Sequence, residues 1–146
     1  MSVYTPSIQG IYTSLPSAVR SATQTLLGRQ IIDPKYGTGF DGNGINPEAS
    51  GLVTYLNITA APGTDTVQLV LEEQDPASGV WSQVTATTPT TATGMVRMKI
   101  KPSITAVAAS ATGVVVQDIL PAIWRLRVVH SAATNFTYSL GVVLYA

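Results

Sequence analysis

The chain has 146 residues, with eight Lys+Arg against eight Asp+Glu, one His and no Cys. That length suits one compact domain burying about 68–70% of its unfolded surface, and a charged fraction of 11% is less than half the roughly 25% of an ordinary soluble domain. Dispersed, balanced charge argues against a phosphate-neutralising patch and hence against nucleic acid; the missing Cys excludes thiolate chemistry, disulfides and Cys-rich zinc or iron–sulfur sites, and a single His excludes a His-rich metal centre.

The first residues, Met1-Ser2-Val3-Tyr4-Thr5-Pro6, lack the basic start and apolar core of a secretory signal. No apolar run approaches the ~18–20 residues of a membrane span. The expectation is a soluble protein made in a cytoplasm, with no membrane partner. Up to Ser50 no helical or strand period is sustained. Pro6, Pro16, Pro34 and Pro47 punctuate the chain, and Gly37, Gly39, Gly42 and Gly44 crowd one short stretch; both residue types resist regular structure. Yet Val3, Tyr4, Ile8, Ile11, Tyr12 and Leu15 are apolar, and leaving such surface in water is unfavourable. Residues 1–50 therefore read as an extended, irregular arm and Gly-rich loop lying on either the chain's own domain or another chain, and residues 51–146 as the folded domain.

From Gly51 the pattern is β. Leu52, Leu56 and Ile58 alternate with Val53, Tyr55, Asn57 and Thr59, with Thr54 the one polar member of the first set. Val67, Leu69 and Leu71 alternate with Thr66, Gln68, Val70 and Glu72. This period of two marks a half-buried strand. Asp75-Pro76-Ala77-Ser78-Gly79 supplies turn chemistry, and Trp81 and Val84 follow, so residues 66–86 read as a hairpin. Val96, Met98 and Ile100 alternate with Arg97, Lys99 and Lys101 until Pro102. The alanine-rich stretch after residue 103 reads as a loop, with a short strand at residues 114–117. Trp124, Leu126 and Val128 alternate with Arg125, Arg127 and Val129, and Phe136, Tyr138, Leu140, Val142 and Leu144 mark the last strand. Six to eight short strands with turns between them predict an all-β fold, an antiparallel β-sandwich or barrel carrying an extended N-terminal arm.

Few residues carry chemistry. His130 shares a strand register with Trp124, Leu126 and Val128; a catalytic role needs a nucleophile or carboxylate in reach, the nearest carboxylate in sequence is Asp118, and a structural histidine is the plainer reading. Glu72 and Glu73 project to opposite faces of a strand, so they make no acid/base pair and read as solubility at a hairpin end. Asp33 with Asp41-Gly42-Asn43-Gly44 has the flavour of a calcium loop, but Ile45 stands where a further oxygen ligand is needed, and a turn-rich loop is preferred. Trp81 and Trp124 read as packing indoles before a sugar platform. The sequons at Asn57 and Asn135 are chance matches in a chain without a secretory signal. No catalytic, cofactor or metal residues are assigned, and the chain is not read as an enzyme. Arg97, Lys99 and Lys101 on one strand face, and Arg125 and Arg127 on another, are either solvated faces that discourage edge-to-edge pairing or partners for acidic patches on a neighbouring subunit.

Six short motifs occur in order: Ser17-Ala18-Val19-Arg20-Ser21-Ala22-Thr23, Asn57-Ile58-Thr59-Ala60-Ala61, Asp75-Pro76-Ala77-Ser78-Gly79-Val80-Trp81, Asp118-Ile119-Leu120-Pro121-Ala122-Ile123-Trp124-Arg125, Val128-Val129-His130 and Tyr138-Ser139-Leu140-Gly141. In that order and spacing, the chain from Leu15 onward resembles small β-rich virion proteins of tailed bacteriophages. Residues 26–45, longer and richer in glycine than the usual linker, and residues 1–14 depart from the pattern. The resemblance implies a virion structural protein, made in the host bacterial cytoplasm and mounted on the capsid as a decoration or cement subunit. Its partners would be the major capsid protein and further copies of itself, most often as a trimer. The expected contacts are Tyr4, Ile8, Ile11, Tyr12 and Leu15 as anchors and Arg20 as a polar contact, with Arg97, Lys99 and Lys101 on the domain. At about 3.3–3.6 Å per extended residue, the first fifteen residues would bridge roughly 50 Å. A neck, tail or head-fibre component, or a carbohydrate-binding module for host attachment, are the alternatives.

Overall fold

The computed structural model describes residues 8–28 and 50–145. Those residues form ten strands in two open sheets: β1 Ile8–Arg20, β2 Gln24–Leu27, β3 Gly51–Ala60, β4 Val67–Gln74, β5 Trp81–Ala86, β6 Gly94–Ile100, β7 Val107–Ser110, β8 Gly113–Val116, β9 Trp124–His130 and β10 Phe136–Tyr145. One sheet has the order β1-β10-β3-β6-β8-β7 and the other β2-β9-β4-β5. The fold is an all-β sandwich, not a closed barrel.

The alternations place the core as expected. Leu52, Leu56 and Ile58, then Val96, Met98 and Ile100, then Phe136 to Leu144 at every second residue, form the inner face of the six-stranded sheet. Val67, Leu69, Leu71, Trp124, Leu126 and Val128 meet them from the four-stranded sheet. Thr54 is the polar exception; it is fully buried, and its hydroxyl has no hydrogen-bond partner. The 75–79 turn closes the β4–β5 hairpin. Asp75 Oδ1 accepts the Ala77 N–H at 2.9 Å, its Oδ2 accepts the Ser78 hydroxyl at 2.7 Å, and Gly79 takes the positive φ of 74° that a side chain would strain.

Three expectations need correction. The described part of residues 1–50 is not an arm. β1 pairs antiparallel with β10 from Ile8↔Tyr145 to Arg20↔Phe136, and β2 pairs with β9. Its strand period is hidden because the register slips between Ile8 and Gly10, between Thr13 and Leu15, and between Leu15 and Ala18. Each slip adds a residue that a partner does not match, and Pro16 offers no donor to the ladder. Tyr12 and Leu15, three residues apart, therefore both pack on the core. Second, the alanine stretch contains β7, whose four residues are all exposed; with no apolar face to bury, it leaves no alternation to read. Third, the sheets are not wholly antiparallel, because β8 runs parallel to β6. That pairing is what positions the surface described below.

The β6–β8 contact depends on a glycine. A Cβ on Gly113 would run into the carbonyl oxygen of Arg97, a backbone atom that cannot swing aside. Gly113→Ala should therefore cost about 1–3 kcal/mol, read as a lower midpoint in denaturant. Gly141→Ala is the control: the nearest atom to its new Cβ is 3.8 Å away, and the change should stay within about 0.5 kcal/mol.

Candidate interaction face

The outer face of the six-stranded sheet follows from register alone. One row crosses it as Ile11, Val143, Val53, Lys99 and Val115; the next runs Thr13, Gly141, Tyr55, Arg97 and Gly113. Neither row contains an acid, and no strand of this sheet carries Asp or Glu. Its cations gather on β6, where Arg97 and Lys99 point outward; Lys101, just past the strand end, holds its ammonium 5.3 Å from the centre of the Tyr145 ring. Among the described residues no carboxylate pairs with Arg97 or Lys99. At the β6–β8–β7 end the face dips into an open groove of about 240 Å³, lined by Arg97, Lys99, Val107, Ser110, Thr112 and Val115 among others. Val107 is 57% exposed there. Ser110 and Thr112 share a 3.1 Å hydroxyl–hydroxyl hydrogen bond that shapes the β7–β8 turn.

The four-stranded sheet handles charge differently. Glu72 on β4 faces Arg125 on β9 in the ladder and is buried, with its Oε1 3.0 Å from Arg125 Nε and 3.5 Å from Arg127 Nη1. The Arg125 guanidinium also lies 4.2 Å from the centre of the Trp81 ring. Glu72 is thus the counter-ion of two arginines, not a solubilising hairpin-end charge, and those arginines are engaged within the chain instead of reserved for a neighbour's acidic patch. Of the two indoles, Trp124 is 3% exposed in the core, and half-buried Trp81 carries the Arg125 guanidinium on one face of its ring.

The expected contact residues scatter. Tyr4 lies outside the described residues, as do Asp33, Asp41 and Asn43. Ile8 is placed by its backbone at the end of β1, opposite Tyr145. Ile11 is 73% exposed on the outer face. Tyr12 and Leu15 pack inward on the protein's own core. Arg20 is spent internally: it donates to the carbonyls of Tyr138 and Pro16, each at 2.6 Å, and lies 5.0 Å from the centre of the Tyr138 ring. Among the expected contacts whose side chains are described, only Ile11 and the three β6-side cations share one surface. The partners that composition could not reveal are the half-buried Tyr55, Tyr145 and Val143, with Val53 buried among them at 8% exposure; their alternation was visible, but the sheet order that makes them neighbours was not. Among the described residues no group of three or more His, Asp or Glu could hold a metal ion.

His130 is structural. Its Nε2 lies 2.9 Å from the Tyr138 hydroxyl, its ring meets Phe136 edge-on at 5.6 Å, and its Nδ1 is buried without a partner. Burial lowers its pKa below the ordinary 6.5 and pushes the Tyr138 hydroxyl up to about 12, Arg20 opposing part of the latter. No family model matches the chain, and no curated protein matches it. Among solved structures, the Yersinia pseudotuberculosis-derived mitogen is similar at 14% identity over 94% of this chain and 86% of that one, with a TM-score of 0.45. A likeness that faint carries no argument.

The two titrations set a stability profile. The unfolded chain takes up a proton at His130 before the folded one does, so stability falls as pH drops below about 6.5. Asp75 is held low by the Ala77 N–H and the Ser78 hydroxyl, and adds its own loss only below the ordinary 3.8. Above about pH 10 the unfolded tyrosine ionises first, and stability falls again. Denaturant midpoints measured from pH 4 to 8 should therefore decline on the acid side, and His130→Gln should flatten that decline; an unchanged slope would show that the acid loss lies elsewhere.

Proposed function

We propose that this chain is a non-enzymatic structural protein of a tailed-phage virion, a decoration or cement subunit that sits on the outer surface of the head and bridges subunits of the major capsid protein. The observation that carries the reading is the outer face of the six-stranded sheet, whose strands carry no acid. Valine, tyrosine and hydroxyl side chains fill it, with cations confined to one strand. Such a face loses little hydration on meeting protein. The ordered motifs that resemble phage virion proteins supply the kind of particle. Several of them fall at defined places in the fold: the end of β3, the β4–β5 turn, the entry to β9 and the middle of β10.

Bridging takes a different form from a flexible tether. Residues 8–20 belong to β1, so a span of roughly 50 Å by the first fifteen residues is not available. Contact passes instead through the rigid sheet face, and many modest contacts repeated over a lattice add up through multivalency. Self-association, most often as a trimer, is part of the same proposal; a three-fold ring needs two different, complementary patches on each copy.

Quantitative mass spectrometry of purified particles of the encoding phage tests the reading. Hundreds of copies per particle are expected of a head-surface subunit. A handful or a dozen would move the chain to the neck or tail, and absence from the particle would remove the virion reading.

A further inference from the structure

We propose that the β6–β8–β7 groove binds an extended acidic segment of the partner protein, one carrying carboxylates at alternate positions. The inference rests on the preceding reading only in taking the partner to be a protein; it adds the chemistry of what is bound and where.

Three observations lead there. Arg97 and Lys99 line the groove from the same face of one strand, without carboxylate partners among the described residues. Residues i and i+2 of a strand stand about 6.6–6.8 Å apart along it, and alternate side chains of an extended partner repeat at the same distance. An acid-x-acid pattern therefore meets both cations at once, whereas adjacent acids point to opposite sides of an extended chain. No acid on any strand of the sheet competes for the two cations or repels the incoming carboxylates. Around the charges, Val107 and Val115 offer apolar contact, and Ser110 and Thr112 offer hydroxyls.

The same features disfavour a nucleic acid. A phosphate backbone is held by a track of cations and by aromatic rings on which bases stack. The groove has two cations and no aromatic side chain among its lining residues.

The test uses the full chain and fluorescently labelled synthetic peptides of Thr/Val-rich extended sequence. One carries Glu at alternate positions, one carries the same number of Glu in adjacent pairs, and one replaces every Glu by Gln. Oligothymidylate and inorganic phosphate serve as the other anions. The alternate-Glu peptide should bind about tenfold or more tighter than the Gln peptide, as two charge-assisted contacts allow, and tighter than the adjacent-Glu peptide. Its affinity should fall with added salt. Arg97→Gln with Lys99→Gln should abolish that advantage while leaving the circular dichroism and denaturant midpoint of the parent, both side chains lying on the outer face.

Equal binding of the Gln peptide, no binding of any peptide, or full affinity in the double variant would overturn the proposal. So would oligothymidylate or phosphate binding as tightly as the alternate-Glu peptide, which would make the groove a general anion site. The two readings fail separately. A chain present on particles that ignores acidic peptides sinks only this inference, and a chain that binds them but is absent from particles sinks only the virion role.

Discussion

Strand β10 is paired along both edges, to β1 on one side and β3 on the other, and most of what the molecule presents outward depends on it. Its inner residues, Phe136, Tyr138, Leu140, Val142 and Leu144, are each at most 1% exposed and form the middle of the core. Its backbone fixes where β1 lies. Tyr138 is the node: its carbonyl takes the Arg20 guanidinium, its ring lies beneath it, and its hydroxyl meets His130. Burying Tyr12 and Leu15 stabilises the same arrangement through apolar area removed from water. Residues 8–20 and 24–27 are held as strands, and they cannot also serve as a long tether.

A rigid body with zero net charge still has a strongly uneven surface. The four-stranded sheet concentrates carboxylates and uses Glu72 to neutralise Arg125 and Arg127 within the chain. The six-stranded sheet has no carboxylates on its strands and leaves Arg97 and Lys99 without ion-pair partners among the described residues. Balanced totals hide this, because a sum over the chain says nothing about which sheet each charge stands on. Local potential, and not overall charge, is what a neighbour meets at contact distance, since screening in physiological salt acts over about 8 Å.

Much of the sandwich was legible because alternation survives wherever a strand has one buried face. β3, β4, β6, β9 and β10 all announce themselves this way, and the Asp75 to Gly79 turn does so by its chemistry. β1 was illegible because bulges around Gly10, Leu15 and Pro16 break the period of two. β7 was illegible because it buries nothing. The cations of the interaction face were legible as a strand face, but the groove was not. It arises from a parallel β6–β8 pairing between segments that no local pattern relates, allowed by Gly113 against the Arg97 carbonyl. Arg20 shows the converse limit: a charged residue in a motif reads as a contact for a partner until the fold reveals that the chain's own carbonyls have taken it.

The proposed contact through the sheet face, in place of a tether that includes residues 8–20, stands or falls with β1. Hydrogen exchange on the free protein measures this directly, amide by amide. The β1 amides facing β10, near Tyr12 and Val19, should be protected to a degree comparable with the β3 amides on the other side of β10. Exchange of β1 at the rate of an unstructured chain, with β3 and β10 still protected, would contradict the closed sheet and return the segment to the role of an arm.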